Sequence, residues 1–186
     1  MTLPTFLKGL LATVFLAGVF AVPSQAESLG TNKDTDTGQA LWKNAARAVI
    51  NAEIDKGIAA YQRRDYATAH KIFLDKYTQE DVRAQYYLGM MYAEGLCVTR
   101  NYDIAAYWIH KAAVRGYSMA QTILGFMYHN GDGVRQDYVL AHMWLNLAAA
   151  KGNSVAAEAR DNITKQMTPH QISQAQELAR EWKLKE

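Results

Sequence analysis

Apolar and small residues recur along this chain at intervals of three and four. Ala84, Leu88 and Tyr92 lie four apart and share one helix face, and Gly95 ends that helix. Tyr102, Ala105, Trp108 and Ala112 recur at three and four and predict a second helix, with Gly116 placed to stop it as a left-handed residue. Shifting the chain by 36 residues brings the pattern back. Ala84, Gln85, Leu88, Gly89, Met91, Tyr92, Gly95 and Val98 return as Ala120, Gln121, Leu124, Gly125, Met127, Tyr128, Gly131 and Val134. Tyr102, Ala105, Trp108, Ala112, Ala113, Gly116 and Ser118 return as Tyr138, Ala141, Trp144, Ala148, Ala149, Gly152 and Ser154. A period of this length predicts stacked helical hairpins. Alanine and glycine at the repeated positions let helix backbones approach, and the Tyr and Trp rings fill the space beyond them.

The segment before these two units is a shortened copy. Tyr66 and Ala69 precede Tyr102 and Ala105 by 36 residues, whereas Ala52 and Gly57 precede Ala84 and Gly89 by 32. Four residues are therefore missing from the connection around Gln62-Arg63-Arg64-Asp65. A further unit starts on schedule at Ala156. In the last segment Thr168 is a candidate N-cap, Pro169 suits the first helical position and Gln171 completes a capping box. Ile172, Ala175, Ala179 and Trp182 form the apolar stripe of a capping helix, and Lys183 and Lys185 suit its negative end.

The pattern Ala84-x-x-x-Leu88-Gly89-x-x-Tyr92-x-x-Gly95-x-x-Val98, followed by Tyr102-x-x-Ala105-x-x-Trp108-x-x-x-Ala112-Ala113-x-x-Gly116, resembles a Sel1-like repeat. The second copy fits better, because Gly131-Asp132-Gly133-Val134 carries a doubled glycine where the first copy has Cys97. The unit from Ala52, with Ala60, Asp65-Tyr66 and Ala69, resembles the related tetratricopeptide repeat. The resemblance covers about residues 50 to 183 and implies an all-α fold, a right-handed superhelix (α-solenoid) of stacked hairpins whose first helices line a concave face. It also implies adaptor and scaffold roles in protein complexes, often in the bacterial envelope. Some secreted proteins of this kind are described as penicillin-binding or β-lactamase-like, so a cell-wall hydrolase is the alternative to a binding module.

The 186 residues carry 20 basic and 18 acidic side chains, and nearly half are hydrophobic. That balance suits a globular protein and argues against a disordered chain or a dedicated nucleic-acid binder. From Ser24 to Thr168 there is no proline, as expected of helices with short connections. One cysteine excludes an internal disulfide framework, and so separates the chain from the disulfide-rich members of the family.

Lys8, the apolar run Gly9–Val22, Pro23 and the small-residue motif Ser24-Gln25-Ala26 read as a signal peptide cut after Ala26. The run is short for a bilayer crossing of about 20 residues. Removing 26 residues from 186 leaves 160, enough for one domain, expected in the periplasm or secreted, without stable membrane insertion. Residues 27–38 are polar and read as a flexible linker; Asn32, Asp34 and Asp36 alternate as in a calcium loop, but Thr37 and Lys43 stand where glycine and the last carboxylate belong. The repeat domain is placed at 39–186, with a shortened unit at about 50–80, repeats at about 82–117 and 118–153, and capping helices at about 154–184.

The chain offers little chemistry. None of its serines is followed three residues later by lysine, the pair that β-lactam-reactive serine enzymes need. His70, His110, His129, His142 and His170 include no four-apart pair for zinc. Cys97 lies near Arg100 and is either a reactive or intermolecular thiol or a plain replacement for a loop glycine. Neither a catalytic residue, a metal site nor a cofactor is assigned. What remains is surface. Setting aside the repeated core positions of the first helices leaves Ile54, Ile58 and Tyr61, then Tyr86, Met90 and Ala93, then Thr122, Phe126 and His129. Either they line a concave groove that takes a protein or peptide partner, or several are buried against neighbouring helices, Ile54 and Ile58 foremost, under the helix that holds Trp42 and Val49. The partner's identity and the oligomeric state are left open.

Overall fold

The structure is a computed structural model and describes residues 33–77 and 81–183. Two compact units divide the chain, Met1–Trp42 and Lys43–Glu186. The described part of the first is the N-terminal stretch of one helix; the second is the helical array. Among the described residues eight helices follow one another: α1 Lys33–Gln62, α2 Tyr66–Tyr77, α3 Val82–Glu94, α4 Tyr102–Val114, α5 Ser118–Asn130, α6 Tyr138–Ala150, α7 Ser154–Thr164 and α8 Pro169–Lys183. Among the described residues there is no strand. Consecutive helices pack on each other from α2 through α7, so the array is an α-solenoid built from hairpins α1–α2, α3–α4 and α5–α6, with α7 and α8 both packed on α6.

Local chemistry sets the helix ends. Asn101 and Asp137 stand at equivalent places in the two full repeats, and their side-chain oxygens accept the Ile104 and Leu140 N–H groups at 3.0 Å. Gly95 and Gly131 take left-handed conformations that close α3 and α5. The connection between α1 and α2 is residues 63–65, against 95–101 and 131–137 in the full repeats. The four missing residues are therefore lost from the turn and not from a helix.

Packing explains the repeated small residues. A Cβ on Gly89 would sit 2.6 Å from the Ile109 side chain, and one on Gly125 would sit 2.6 Å from Leu145. Each glycine is the point where the two helices of a hairpin approach most closely. Ala84, Ala120 and Ala156 are wholly buried at the junctions with the preceding units, among residues such as Phe73, Ala113 and Ala148. At the far end Trp182 stacks edge-on to Trp144, with ring centroids 4.9 Å apart, and Ala175 and Ala179 are buried. Thr168 and Gln171 exchange hydrogen bonds as a capping box, Thr168 N–H to Gln171 Oε1 at 2.9 Å and Gln171 N–H to Thr168 Oγ1 at 3.3 Å.

The second turn residue differs between the repeats. Gly133 has φ 67°, and a Cβ there would lie 2.0 Å from the Tyr102 carbonyl oxygen. Cys97 occupies the same place in the first repeat with φ 64°, and its side chain is exposed.

The N-terminal reading needs two corrections. Helix α1 begins at Lys33, so residues 33–38 are helical and not linker. Trp42, Val49, Ile54 and Ile58 also lie on this single helix, so the segment holding Trp42 and Val49 does not cover the latter two; Ile54 is buried by α2 and α3 instead. The expected signal peptide, and Asn32 of the calcium-like pattern, lie outside the described residues.

Candidate functional site

On α3, Ala84, Leu88 and Met91 join the core with the preceding hairpin, and Gly89 meets α4. The remaining face carries Arg83, Tyr86, Met90 and Glu94. By the 32- and 36-residue registers its counterparts are Asn51, Ile54 and Ile58 on α1 and Met119, Thr122 and Phe126 on α5.

The structure sorts the nine groove candidates. Ile58, Met90 and Phe126 form one register row, and all three are half-buried. Ile58 and Met90 lean on the buried clusters beneath them; among the described residues Phe126 joins none of the three. Tyr61 is half-buried beside Ile58. Its ring meets Tyr66 and Tyr87 at 5.5 and 5.0 Å, and burial, followed by the nearby Glu94 carboxylate, pushes its phenol up to about 12. Ala93 is half-buried against the core.

Three candidates are not available to a partner. Ile54 is fully buried with Phe73 and Leu88. Tyr86 is buried because its ring is clasped edge-on by Tyr87 and Tyr117 at 5.2 and 5.4 Å, and burial pushes its phenol up to about 12. Thr122 is buried as well. Its Oγ1 donates to the Ser118 carbonyl at 2.9 Å and accepts from Asn153 Nδ2 at 3.0 Å, which ties α5 to the N-cap of α7. A fourth, His129, is half-buried and packs edge-on to Tyr138 at 5.4 Å, so it braces its own hairpin.

Sequence reasoning missed the rim of this face. Arg83 Nη1 donates to Asp55 Oδ1 at 2.9 Å, and Nη2 donates to Asn51 Oδ1 at 2.8 Å and Asp81 Oδ2 at 3.0 Å. The guanidinium thereby staples α3 to α1. Burial alone would raise the Asp81 carboxyl, but the hydrogen bonds from Arg83 hold it below the usual range. In the same register Met119 and Val155 are 47% and 59% exposed. The sequence carried a signal for them: two apolar residues 36 apart at a position outside the repeated core.

The described residues hold no cluster of His, Cys, Asp or Glu able to bind a metal. No helix among them is long and apolar enough to cross a membrane. Cys97 sits in its exposed turn.

The Sel1 repeat family matches residues 82–117 and 118–153, the two units found by the 36-residue shift. The chain carries two Sel1 repeats. Its array is similar to the crystal structure of a protective antigen present in uropathogenic Escherichia coli strains that displays an SLR fold, with 28% identity and a TM-score of 0.69 over 86% of this chain and 35% of that one. It is also similar to a Sel1 repeat protein from Oxalobacter formigenes, with 32% identity and a TM-score of 0.57 over 60% of this chain and 46% of that one. The chain thus spans about a third and just under half of these proteins. No curated protein sequence matches it. Sel1 arrays are typically protein-interaction scaffolds and generally non-catalytic, which agrees with a site made of apolar side chains and a structural ion-pair cluster.

Proposed function

We propose that this Sel1 protein is exported to the cell envelope as a non-catalytic adaptor and holds a protein or peptide partner along α1, α3 and α5. The row Ile58–Met90–Phe126 carries the reading: three apolar side chains in repeat register, each half-buried and partly open to solvent. Met119 and Val155 extend it, and the rigid Arg83 staple fixes the spacing of the first two helices. Such a face takes an apolar stripe from a peptide or a partner helix. The apolar run and Ser24-Gln25-Ala26 support export.

Site-specific photo-crosslinking in cells tests both parts. A photoreactive residue at position 126 should give a discrete adduct, whereas one at Tyr107, exposed on α4, should not. Adducts at both positions, or at 107 alone, would overturn the groove. An amino terminus other than Glu27 on the fractionated protein would overturn the assigned cut. Nitrocefin turnover above a heat-treated control would overturn the non-catalytic assignment.

A further inference from the structure

The open face of α1, α3, α5 and α7 carries charge as well as its apolar row. In repeat register its charged members are Asp55 on α1, Arg83 and Glu94 on α3 and Glu158 on α7, and α5 adds none. Three carboxylates and one guanidinium leave a net of −2 at neutral pH, in a chain whose formal net charge is +2. The cation is engaged, because Arg83 donates to Asp55, Asn51 and Asp81. Glu94 and Glu158 are exposed, and neither makes an ion pair or a hydrogen bond among the described residues.

Glu94 also stands against its own helix. It is the last residue of α3, where unpaired carbonyl groups disfavour a carboxylate, and that turn holds no cation to offset it. The same register position is Gln62 at the end of α1 and Asn130 at the end of α5, both uncharged. The array therefore closes this helix end twice without a charge, and the carboxylate at 94 does nothing for packing that an amide would not do. What surrounds it suits a cation. Met90 lies one turn away, about 6 Å along the axis, so the carboxylate borders the apolar row. It is close enough to help raise the Tyr61 and Tyr86 phenols, which stay neutral and leave its charge uncancelled. The nearby Tyr61 ring, half-buried, offers an electron-rich face to a cation.

We propose that the partner segment held on this face is basic: a lysine or arginine about 6 Å from its apolar anchor pairs with Glu94 near Tyr61, while apolar side chains fill the row Ile58–Met90–Phe126. This rests on the groove proposed above and adds the sign of what fills it. Glu158 gives the α7 end of the face the same sign. An acidic segment would set carboxylate against carboxylate, with Arg83 already engaged. Exposed ion pairs are each weak, so the charge sets which segment is preferred more than how tightly it is held.

Fluorescence anisotropy tests this with three labelled peptides of about 18 residues that share one leucine stripe and carry lysine, glutamine or glutamate on its flanks. The protein is purified from cells expressing the full chain. At about 0.05 M salt the lysine peptide should bind about tenfold tighter than the glutamate peptide, and the ratio should shrink at about 0.3 M. Glu94→Gln should weaken the lysine peptide about threefold to fivefold. It should leave the glutamine peptide unchanged and the melting temperature unchanged or slightly higher. Glu94→Lys should move the preference toward the glutamate peptide. The glutamine peptide separates the two readings, since it needs the apolar row and no charge. If it binds and Phe126→Asp abolishes that binding, but the lysine peptide is no tighter than the glutamate one or ignores Glu94→Gln, the basic partner is overturned and the groove stands. If no peptide binds, or Phe126→Asp binds all three as before, the groove falls and the basic partner with it.

Discussion

The two full repeats offer a controlled experiment at their turns, since Cys97 and Gly133 share one backbone conformation in different surroundings. Alanine at either site adds or keeps a Cβ at positive φ, which costs about 1–2 kcal/mol relative to a right-handed conformation. At 97 that cost is already present, so Cys97→Ala should leave stability nearly unchanged. At 133 the new Cβ would also lie 2.0 Å from the Tyr102 oxygen and 2.3 Å from its carbonyl carbon. Both are backbone atoms, which cannot rotate aside. The turn or the start of α4 must shift, and overpacking of this kind costs about 1–3 kcal/mol. Gly133→Ala should therefore cost about 2–5 kcal/mol in all, or about 4–20 °C in melting temperature for a chain of this size. Urea denaturation followed by far-UV circular dichroism reads both variants on one scale. The reasoning is refuted if Gly133→Ala loses less than about 1 kcal/mol, since backbone strain alone would then explain it, or if Cys97→Ala loses as much as Gly133→Ala.

Phe126→Asp should abolish crosslinking from a neighbouring groove position and shift the melting temperature little, whereas Tyr86→Asp should unfold the array, because its ring lies between Tyr87 and Tyr117; thermal melts of both variants separate groove from core. His142 is buried on α6, and burial, helped by the Arg160 guanidinium, holds its imidazole below the ordinary range while Asp161 opposes. The unfolded chain takes up that proton near pH 6.5 and the folded one resists it, so stability holds above about 6.5 and falls as the pH drops toward the folded value. His142→Gln should reduce the loss of melting temperature between about pH 7.5 and pH 5; an unchanged loss would show that His142 is not its source. Some dependence should remain, because burial lowers His110 as well.

The fold was legible because the same packing problem is solved twice. Gly89 and Gly125 recur where helix axes nearly touch, and Ala84 and Ala120 recur where units stack. A second copy in register turns a weak helical pattern into a measured period. The groove was less legible, because a stripe read at helical spacing does not say how far neighbouring helices lean over it. Tyr86, Thr122 and Phe126 all sit outside the repeated core, yet Tyr117 covers the first, Asn153 pins the second, and of the three only Phe126 stays half-buried. Both covering residues stand at one register position in the turns that lead into α5 and α7, between the recurring Gly116/Gly152 and Ser118/Ser154, but they differ in kind, so the period does not reveal what each covers. The overhang of α1 was hidden for the opposite reason. It follows no repeat, so polar residues there read as linker, although a helix already formed from Ala52 onward can propagate backwards through them with no new nucleus to pay for. Variation around a constant core therefore marks where function is sought in a Sel1 array, but burial decides which varying residues can reach a partner. By that test Phe126 can reach a partner, whereas Tyr86 and Thr122, at equally variable positions, are held by the array itself.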